Sequence, residues 1–348
     1  MAEEVKNKRV LQIGYGAFGE VHAEAWARAG LAAGCLLIAD TDGRALARAQ
    51  ARFPGVHVTT DGEAAMGDVD CIDILTPTDS HYRLACAAIA VGRDVFIEKP
   101  MTVHAWEALD LARRAREARI VLQGGLYYRQ HPKALALKAA IAAGRFGALR
   151  LLTGRFAGIK RARNDSGALH NDAVHFIDLF NWLTGERPRL VFALTRDHFG
   201  RGHDDLAILQ LVYPRGTIAS IETGYIQPGR WPDAVVPGAV TMKEIAVSGE
   251  LAIAEIDFAA EVSSLRRGGH RQQDGSWRPA YGEPEPIAAP SASAPEVLAG
   301  HFRTFLDHVA SREEPECSII DCGYVPARII EAAIQSARTG QAIGLDWS

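Results

Sequence analysis

The sequence lacks any run of about 20 apolar residues, the length a helix needs to cross a bilayer, so we expect no membrane partner. Neither charge is in large excess, since 38 Lys and Arg stand against 42 Asp and Glu, a formal net charge of −4. Nucleic acid binding needs a concentrated basic face, so we expect no nucleic-acid partner. The first residues are polar and lack the apolar core of a signal peptide, which favours a cytoplasmic protein.

Cysteine is scarce, and its pattern is uninformative for metal binding. The chain has five cysteines and no CxxC pair, which fits neither a disulfide framework nor a structural zinc site. We therefore expect a globular protein of a reducing compartment. The five are Cys35, Cys71, Cys86, Cys317 and Cys322.

What is present is enough chain for two domains, since 348 residues exceed one ordinary domain. Residues 1–125 alternate short, continuously apolar runs with helical stretches, which predicts an α/β domain with a parallel, doubly wound sheet covered on both faces. The predicted strands are Val10–Ile13, Cys35–Ala39, Cys71–Leu75, Val95–Ile97 and Ile120–Leu122. The predicted helices are Glu20–Ala29, Arg44–Ala51, His81–Ala90 and Ala105–Arg116.

Residues 126–348 have longer runs bounded by Gly or Pro, which predicts an α+β domain with a mostly antiparallel open sheet. We interpret Gly268–Pro295, rich in Gly, Pro, Ser and Gln, as a long surface loop that could include a short strand, rather than as a domain linker. Two final helices, Val297–Ala310 and Cys322–Arg338, are expected to pack back toward the first domain. The other predicted elements are a helix at Lys133–Ala142 and strands at Leu149–Phe156, Leu190–Arg196, Leu206–Tyr213, Thr217–Tyr225, Glu244–Val247 and Leu251–Phe258.

A GxGxxG motif, Gly14 to Gly19, follows the first strand and opens a helix. Its glycines allow a tight turn, close approach of a pyrophosphate and close packing of helix on strand, while the helix N-terminus favours phosphate. Asp40 ends the second strand about 20 residues on, where a carboxylate binds ribose hydroxyls and repels a 2′-phosphate. NAD is therefore the expected cofactor. NADP is the less favoured alternative, because Arg44 could meet a phosphate.

Two further loops lie at the carboxyl ends of predicted strands, which line the ligand crevice of such sheets. They are Thr76-Pro77-Thr78, followed by His81, and Glu98-Lys99-Pro100. Lys99 is either functional at the crevice rim or an ordinary surface lysine. The residues predicted to form the cofactor site are Gly14, Tyr15, Gly16, Ala17, Phe18, Gly19, Asp40, Thr41, Arg44, Thr76, Pro77, Thr78, His81, Glu98, Lys99 and Pro100.

If residues 171–183 form a helix, Asn171, Asp172, His175 and Asp178 share one polar face. A histidine with a carboxylate or carboxamide one turn away is a plausible general acid/base with its orienting partner. The alternatives are an ordinary polar helix face and a metal site. We predict no metal, because the order of His170, Asp172 and His175 is not a standard ligand signature.

Basic side chains precede this helix and suit a phosphate or carboxylate on the substrate. A solvated basic loop is the equal alternative. The residues predicted to contact substrate are Lys99, Tyr128, Arg129, Arg155, Lys160, Arg161, Arg163, Asn171, Asp172 and His175.

With these motifs in this order, the chain resembles the glucose–fructose oxidoreductase / inositol dehydrogenase / rhizopine-catabolism (Gfo/Idh/MocA) family, Glu98-Lys99-Pro100 being the most specific element. The resemblance implies a Rossmann domain, then a sheet domain that often forms homodimers or homotetramers. It also implies reversible oxidation of a secondary alcohol on a sugar or polyol. Lys99 matches the active-site lysine and His175 the acid/base histidine. Asn171 stands where the family commonly has Asp, so either Asn171 or Asp172 is expected to orient His175.

Three hypotheses follow for the function. The first is NAD-dependent oxidation of a nucleotide-linked sugar, for instance the 3-hydroxyl of an amino sugar nucleotide. The second is a dehydrogenase of a free sugar or inositol. The third is a sensor that binds NAD(H) without turnover, which Lys99 and His175 together disfavour, since a sensor needs neither.

Overall fold

The computed structural model describes residues 7–163, 165–233, 235–261, 263–287 and 289–347. The chain divides into two compact units. The first unit is Met1–Gln130 with Ser293–Arg328, and the second is His131–Ala292 with Ile329–Ser348. The boundary expected after residue 125 therefore falls inside the first unit, which also takes in a segment from near the end of the chain.

The first unit contains a six-stranded parallel sheet in the order β3-β2-β1-β4-β5-β6. Strands β1, β4 and β5 are wholly buried, as their mainly apolar sequences predict, and the doubly wound sheet is confirmed. The prediction missed β3 because this strand has three residues and is half exposed, and it placed β6 two residues early. The strands are β1 Val10–Ile13, β2 Leu36–Ala39, β3 His57–Thr59, β4 Cys71–Ile74, β5 Asp94–Ile97 and β6 Leu122–Gly124.

Among the described residues, six α-helices accompany this sheet. Helix α1 begins after Gly16 and ends at Gly30, whose φ of +103° suits a glycine C-cap. Helix α8 begins with a capping box of Ser293 and Glu296 and packs on α1, where Trp26 and Phe302 stack with ring centroids 3.8 Å apart. The helices are α1 Ala17–Ala29, α2 Gly43–Arg52, α3 Gly62–Ala65, α4 Thr78–Ala90, α5 Ala105–Ala118 and α8 Ala294–Ser311.

The second unit contains a mostly antiparallel ten-stranded sheet in the order β15-β14-β13-β12-β7-β10-β9-β8-β16, with β11 paired to β12. Its strands are β7 Leu149–Ile159, β8 Leu190–Arg196, β9 Leu206–Val212, β10 Ile218–Gly224, β11 Trp231–Pro232, β12 Val240–Gly249, β13 Ala252–Asp257, β14 Ser264–Gln273, β15 Ser276–Pro286 and β16 Ile343–Gly344. Its helices are α6 Pro132–Ala142, α7 Val174–Thr184 and most of α9, Val325–Thr339. The α+β prediction is confirmed.

The two faces of this sheet differ. Helix α7 packs so closely on one face that a Cβ at Gly154 would lie 2.7 Å from the Phe176 ring. The opposite face exposes apolar side chains of neighbouring strands, namely Leu151, Leu194, Ile208 and Ile218. That copies of the chain pair through the sheet stays a prediction.

Two expectations are wrong. The loop predicted at Gly268–Pro295 is instead mostly the hairpin of β14 and β15, closed at Asp274-Gly275, where both residues have positive φ as type I′ turns require. Its many polar residues and prolines hid the strand pattern. The structure also joins Cys317 to Cys322 in a disulfide, which the cysteine count did not suggest.

In the part of the chain that the structure describes, no helix is both long and apolar enough to cross a membrane.

Candidate active site

The glycine motif forms a cradle at the end of β1. Gly14 has φ +110°, and a Cβ there would lie 2.8 Å from the Leu75 carbonyl oxygen. At Gly19, a Cβ would lie 2.6 Å from the carbonyl oxygen of Gly14, so neither position accepts a side chain. A Cβ at Gly16 would meet nothing within 4 Å, which leaves space in front of the N-terminus of α1 for a diphosphate. The cradle therefore fits a dinucleotide, with Ala17 and Phe18 supplying the first helical amides.

The glycine turn is held in place by hydrogen bonds from Gln12, a residue that the sequence did not single out. The wholly buried Gln12 donates through Nε2 to the carbonyl oxygens of Gly14 (3.0 Å) and Gly19 (2.9 Å). A polar residue inside an otherwise apolar strand was the available signal. Tyr15 contributes backbone only, because its side chain is 1% exposed, and burial raises the pKa of its phenol to about 12.

Asp40 lies at the end of β2 with its carboxylate fixed by two backbone amides. Oδ2 accepts from Tyr15 N (2.7 Å) and Oδ1 from Asp42 N (2.9 Å), while Asp42 caps α2 by accepting from the amide of Arg44. A carboxylate has about four lone-pair sites, so two more acceptor sites remain for ribose hydroxyls. Thr41, between these residues, is exposed.

The loops after β4 and β5 are held together by a buried histidine. His81 is 1% exposed, with Nε2 2.7 Å from the Thr76 carbonyl oxygen and Nδ1 2.9 Å from that of Pro100. Both ring nitrogens thus contact protein backbone, which corrects its assignment as a direct cofactor ligand. Thr76 also bonds Ser80 through their hydroxyls (2.6 Å) at the first turn of α4, which follows Pro77 and starts at Thr78.

Glu98, predicted as part of the cofactor site, is likewise buried, at 5% exposure, and both carboxylate oxygens face protein groups. Its Oε2 accepts from Lys99 N (2.9 Å), and its Oε1 lies at an ion-pair distance of 3.4 Å from His22 Nε2. A Cβ at Gly125 would lie 2.6 Å from Oε1, so glycine is needed there. Lys99 itself is half-buried, and the Lys99-Pro100 peptide is cis.

Behind Glu98 lies a buried charged group centred on His22. Its Nδ1 is 2.9 Å from Asp73 Oδ2, which also accepts from Trp26 Nε1 (2.8 Å). Burial alone would lower the pKa of His22, but the carboxylates of Asp73 and Glu98 outweigh it and raise the pKa to about 9. The sequence signal for this group was Asp73, an acidic residue inside the buried strand β4.

This pKa predicts how stability depends on pH. The groups facing His22 are the two carboxylates and His301, whose pKa burial lowers to about 4 and which is therefore neutral. Because His22 binds its proton more tightly folded (about 9) than unfolded (about 6.5), its contribution is complete below pH 6.5 and disappears as pH rises through 9. We expect His22→Gln to flatten the loss of stability between pH 6.5 and 9, measured by urea unfolding. A variant with the same pH slope as the parent would contradict this.

In the second unit, His175 lies on a helix with no exposed face. A π-helical segment at Leu169–Ala173 precedes α7, and every residue of α7 is buried, including His175 (3% exposed) and Asp178 (1%). The ordinary solvent-exposed polar face is therefore excluded. The imidazole of His175 stacks on Phe156 of β7, with ring centroids 5.3 Å apart.

Asp172 forms a buried ion pair beside this histidine. Its Oδ1 accepts from Lys160 Nζ (2.8 Å) and from Asn171 Nδ2 (3.1 Å), and the Lys160 ammonium lies 4.5 Å from the centre of the Phe156 ring. Lys160 and His175 thus contact the same ring, Phe156, which the prediction missed, and Asp172 and Asn171 join them through the ion pair with Lys160. Tyr225, also missed, lies 5.4 Å from the Lys160 ammonium, and burial, then Asp172, raises the pKa of its phenol.

The other predicted substrate residues are placed differently. Arg155 lies on the opposite face of the sheet from Phe156 and pairs with Glu222 (3.2 Å), so it does not share a site with His175. Arg129 is 5% exposed and donates to the carbonyl oxygen of Glu316. The structure thus separates Arg155 from His175, which corrects that grouping, while the substrate contact predicted for Arg129 stays a prediction.

The remaining members of that group are Tyr128, Arg161 and Arg163. Tyr128 is buried and stacks on Tyr127, with ring centroids 4.9 Å apart. Arg163 pairs with Asp165 (2.6 Å), and Arg161 is exposed. Across the described ranges, no three His, Cys, Asp or Glu side chains are grouped as metal ligands.

Sequence comparison identifies the family. Residues 8–126 match the model of the oxidoreductase family with an NAD-binding Rossmann fold, GFO_IDH_MocA, and residues 134–252 match the GFO/IDH/MocA C-terminal domain. The chain belongs to the Gfo/Idh/MocA family. It is therefore an oxidoreductase of the NAD-binding type, as the glycine cradle and Asp40 indicate.

Individual relatives are distant. The chain is 30% identical over 226 residues to UDP-N-acetylglucosamine 3-dehydrogenase of Acidithiobacillus ferrooxidans, covering 63% of this chain and 68% of that protein. It is 29% identical over 214 residues to inositol 2-dehydrogenase of Acidothermus cellulolyticus, covering 59% and 62%. Its fold matches a levoglucosan dehydrogenase solved with NADH and levoglucosan, with a TM-score of 0.82 at 21% identity over 97% of this chain and 99% of that chain.

Proposed function

We propose that the chain is an NAD-dependent dehydrogenase that oxidises a secondary hydroxyl on the ring of an uncharged sugar or cyclic polyol. The ion pair of Lys160 with Asp172 carries this proposal, because it neutralises the cation that shares the Phe156 ring with His175. Arg129, Arg155 and Arg163 also have internal partners. Several of the basic side chains that the sequence suggested for binding an anionic substrate are therefore already paired with other protein groups.

The proposed chemistry divides between two side chains. The nicotinamide, when bound, supplies the hydride acceptor. His175 takes the hydroxyl proton, and the Lys99 ammonium stabilises the negative charge that develops on the substrate oxygen. Phe156 holds one face of the imidazole, and the Lys160–Asp172–Asn171 group fixes the charge beside it. Burial of His175 and Asp172 excludes water from the proton acceptor.

The test is nicotinamide absorbance at 340 nm, as single and multiple turnover, with free sugars, anhydrosugars, inositols and nucleotide-linked sugars. We expect NADH formation with members of the uncharged classes. If NAD binding is confirmed but no compound of the panel forms NADH in single turnover, the proposal is contradicted and the NAD(H)-binding sensor is favoured.

A nucleotide-linked sugar is the second candidate, favoured by the 30% identity to a UDP-N-acetylglucosamine 3-dehydrogenase. Its diphosphate would then be met by the exposed Arg161 and by Arg163, released from its partly exposed pair with Asp165. Under this candidate, Arg161→Glu with Arg163→Glu raises the KM for a nucleotide sugar at least about tenfold, as for loss of charge-assisted hydrogen bonds. Under the first candidate, the double variant leaves kcat/KM for the uncharged substrate unchanged. Arg215→Glu, at an exposed arginine of the same unit, is the matched control.

A further inference from the structure

The segment Glu98-Lys99-Pro100 is anchored on both sides of the lysine. On the amino side, the Glu98 carboxylate accepts from the Lys99 amide and faces His22. On the carboxyl side, the Pro100 carbonyl oxygen lies 2.9 Å from His81 Nδ1. Each neighbour of Lys99 in the chain is thus tied to a different buried histidine.

Both histidines also belong to segments that form the dinucleotide site. His22 lies on α1, the helix that the glycine cradle opens, and His81 lies on α4, with Nε2 2.7 Å from the Thr76 carbonyl oxygen. A displacement of the cradle helix therefore reaches the backbone next to Lys99 through His22 and the Glu98 carboxylate, and a displacement of the Thr76 loop reaches it through His81 alone.

The surroundings of His22 are apolar and closely packed. His22 is wholly buried, and its ring packs edge-on against Phe18, Phe96 and Phe302 at centroid distances of 5.1 to 6.1 Å. In such water-poor surroundings, an ion pair with Asp73 and Glu98 is costly to break, since either partner left alone is a buried unpaired charge. Both ring nitrogens of each histidine face protein groups, so neither is placed to take the substrate proton, and the backbone beside Lys99 is the part of the site that they hold.

We propose that His22 and His81 are positioning residues for Lys99, which together lock the backbone on both sides of it to the cradle helix and to the Thr76 loop. This proposal rests on the proposed function in so far as Lys99 takes part in the reaction. It adds a physical reason for the two histidines, namely that the ammonium and the nicotinamide site keep a fixed relation during turnover.

The test uses His22→Gln and His81→Asn, with His57→Gln, an exposed histidine of the same unit, as the matched control. Rates are expressed per NADH-binding site, so that partial unfolding does not count as loss of activity. We expect kcat to fall about 10- to 100-fold in each variant, as for a misplaced catalytic group, with little change in NADH affinity. A histidine that only stabilises the fold would lower the melting temperature and the number of binding sites but leave kcat per site unchanged, which would overturn the proposal.

A second measurement follows Lys99 without turnover. Reductive ¹³C-methylation labels the lysines of the whole chain, and the Lys99 signal is assigned by its absence in Lys99→Arg. We expect the chemical shift or the titration midpoint of that signal to move in His22→Gln and His81→Asn, and to stay in place in His57→Gln. If the Lys99 signal stays in place in both variants, the proposal that His22 and His81 position Lys99 is overturned.

The two proposals fail in different ways. If Lys99→Met turns over normally, the proposed role of Lys99 in the reaction fails. A shifted Lys99 signal in the histidine variants would still support the proposal that His22 and His81 position Lys99. If Lys99→Met is inactive but the histidine variants match the parent in both kcat per site and Lys99 signal, the proposal that the histidines position Lys99 fails. The proposed dehydrogenase function then stands. Should His22→Gln not fold, Glu98→Gln removes the same ion pair while keeping an oxygen that accepts from the Lys99 amide.

Discussion

Lys99→Met is expected to lose about 10²- to 10³-fold in kcat while it still binds NADH, as for removal of one preorganised charge from a developing oxyanion. Methionine keeps the length and apolar stem of lysine, so packing around the half-buried side chain changes little. The Glu98 hydrogen bond to the backbone amide of residue 99 is also retained, because it does not involve the side chain. The loss should therefore fall on kcat more than on the KM for NAD.

The measurement is steady-state NADH formation together with NADH binding by fluorescence. Lys8→Met, a half-buried lysine of the same unit, is the control for loss of a charge as such and should match the parent. Lys99→Arg keeps the charge but moves it, and we expect it to recover only part of the rate, since a planar guanidinium does not replace a compact ammonium. Turnover within a few-fold of the parent in Lys99→Met would rule out the electrostatic role, by the scale of such losses.

The first unit was predictable because each of its signals is local. Continuous apolar runs gave the buried parallel strands, and the spacing of Gly14, Gly16 and Gly19 before a helix gave the cradle, where two of the three glycines are required by contacts under 3 Å. What was missed is what local patterns do not encode. Gln12 and Asp73 are polar residues in buried strands, and their partners lie outside those strands.

The site in the second unit was harder to predict, because the errors there concern which face of an element a residue lies on. Arg155 was grouped with His175, although strand alternation puts it on the face opposite Phe156; the sequence shows the alternation but not which face α7 covers. The π-helical turn at Leu169–Ala173 shifts Asn171 and Asp172 relative to His175, and a 3.6-residue period does not anticipate it. Such turns are frequent at functional sites, which agrees with the residues collected here.

The chemistry proposed for His175 predicts the other large effect. His175→Asn is expected to lower kcat by about 10²- to 10⁴-fold, the range for loss of a positioned general base. Asparagine keeps a polar group in a site that is 3% exposed but cannot take the proton. NADH affinity should stay near that of the parent, because the cradle and Asp40 belong to the other unit.

The rate profile with pH separates this role from a structural one. For the parent, kcat should fall as pH drops through the pKa of the base, because a protonated imidazole cannot accept the substrate proton. In His175→Asn this acid limb should disappear, leaving a slow rate that increases with solvent hydroxide. His198→Asn, at an exposed histidine of the same unit, is the control and should keep the parent profile. If His175→Asn instead keeps the acid limb, another group takes the proton, and the buried Asp172 with its Lys160 partner becomes the first to test.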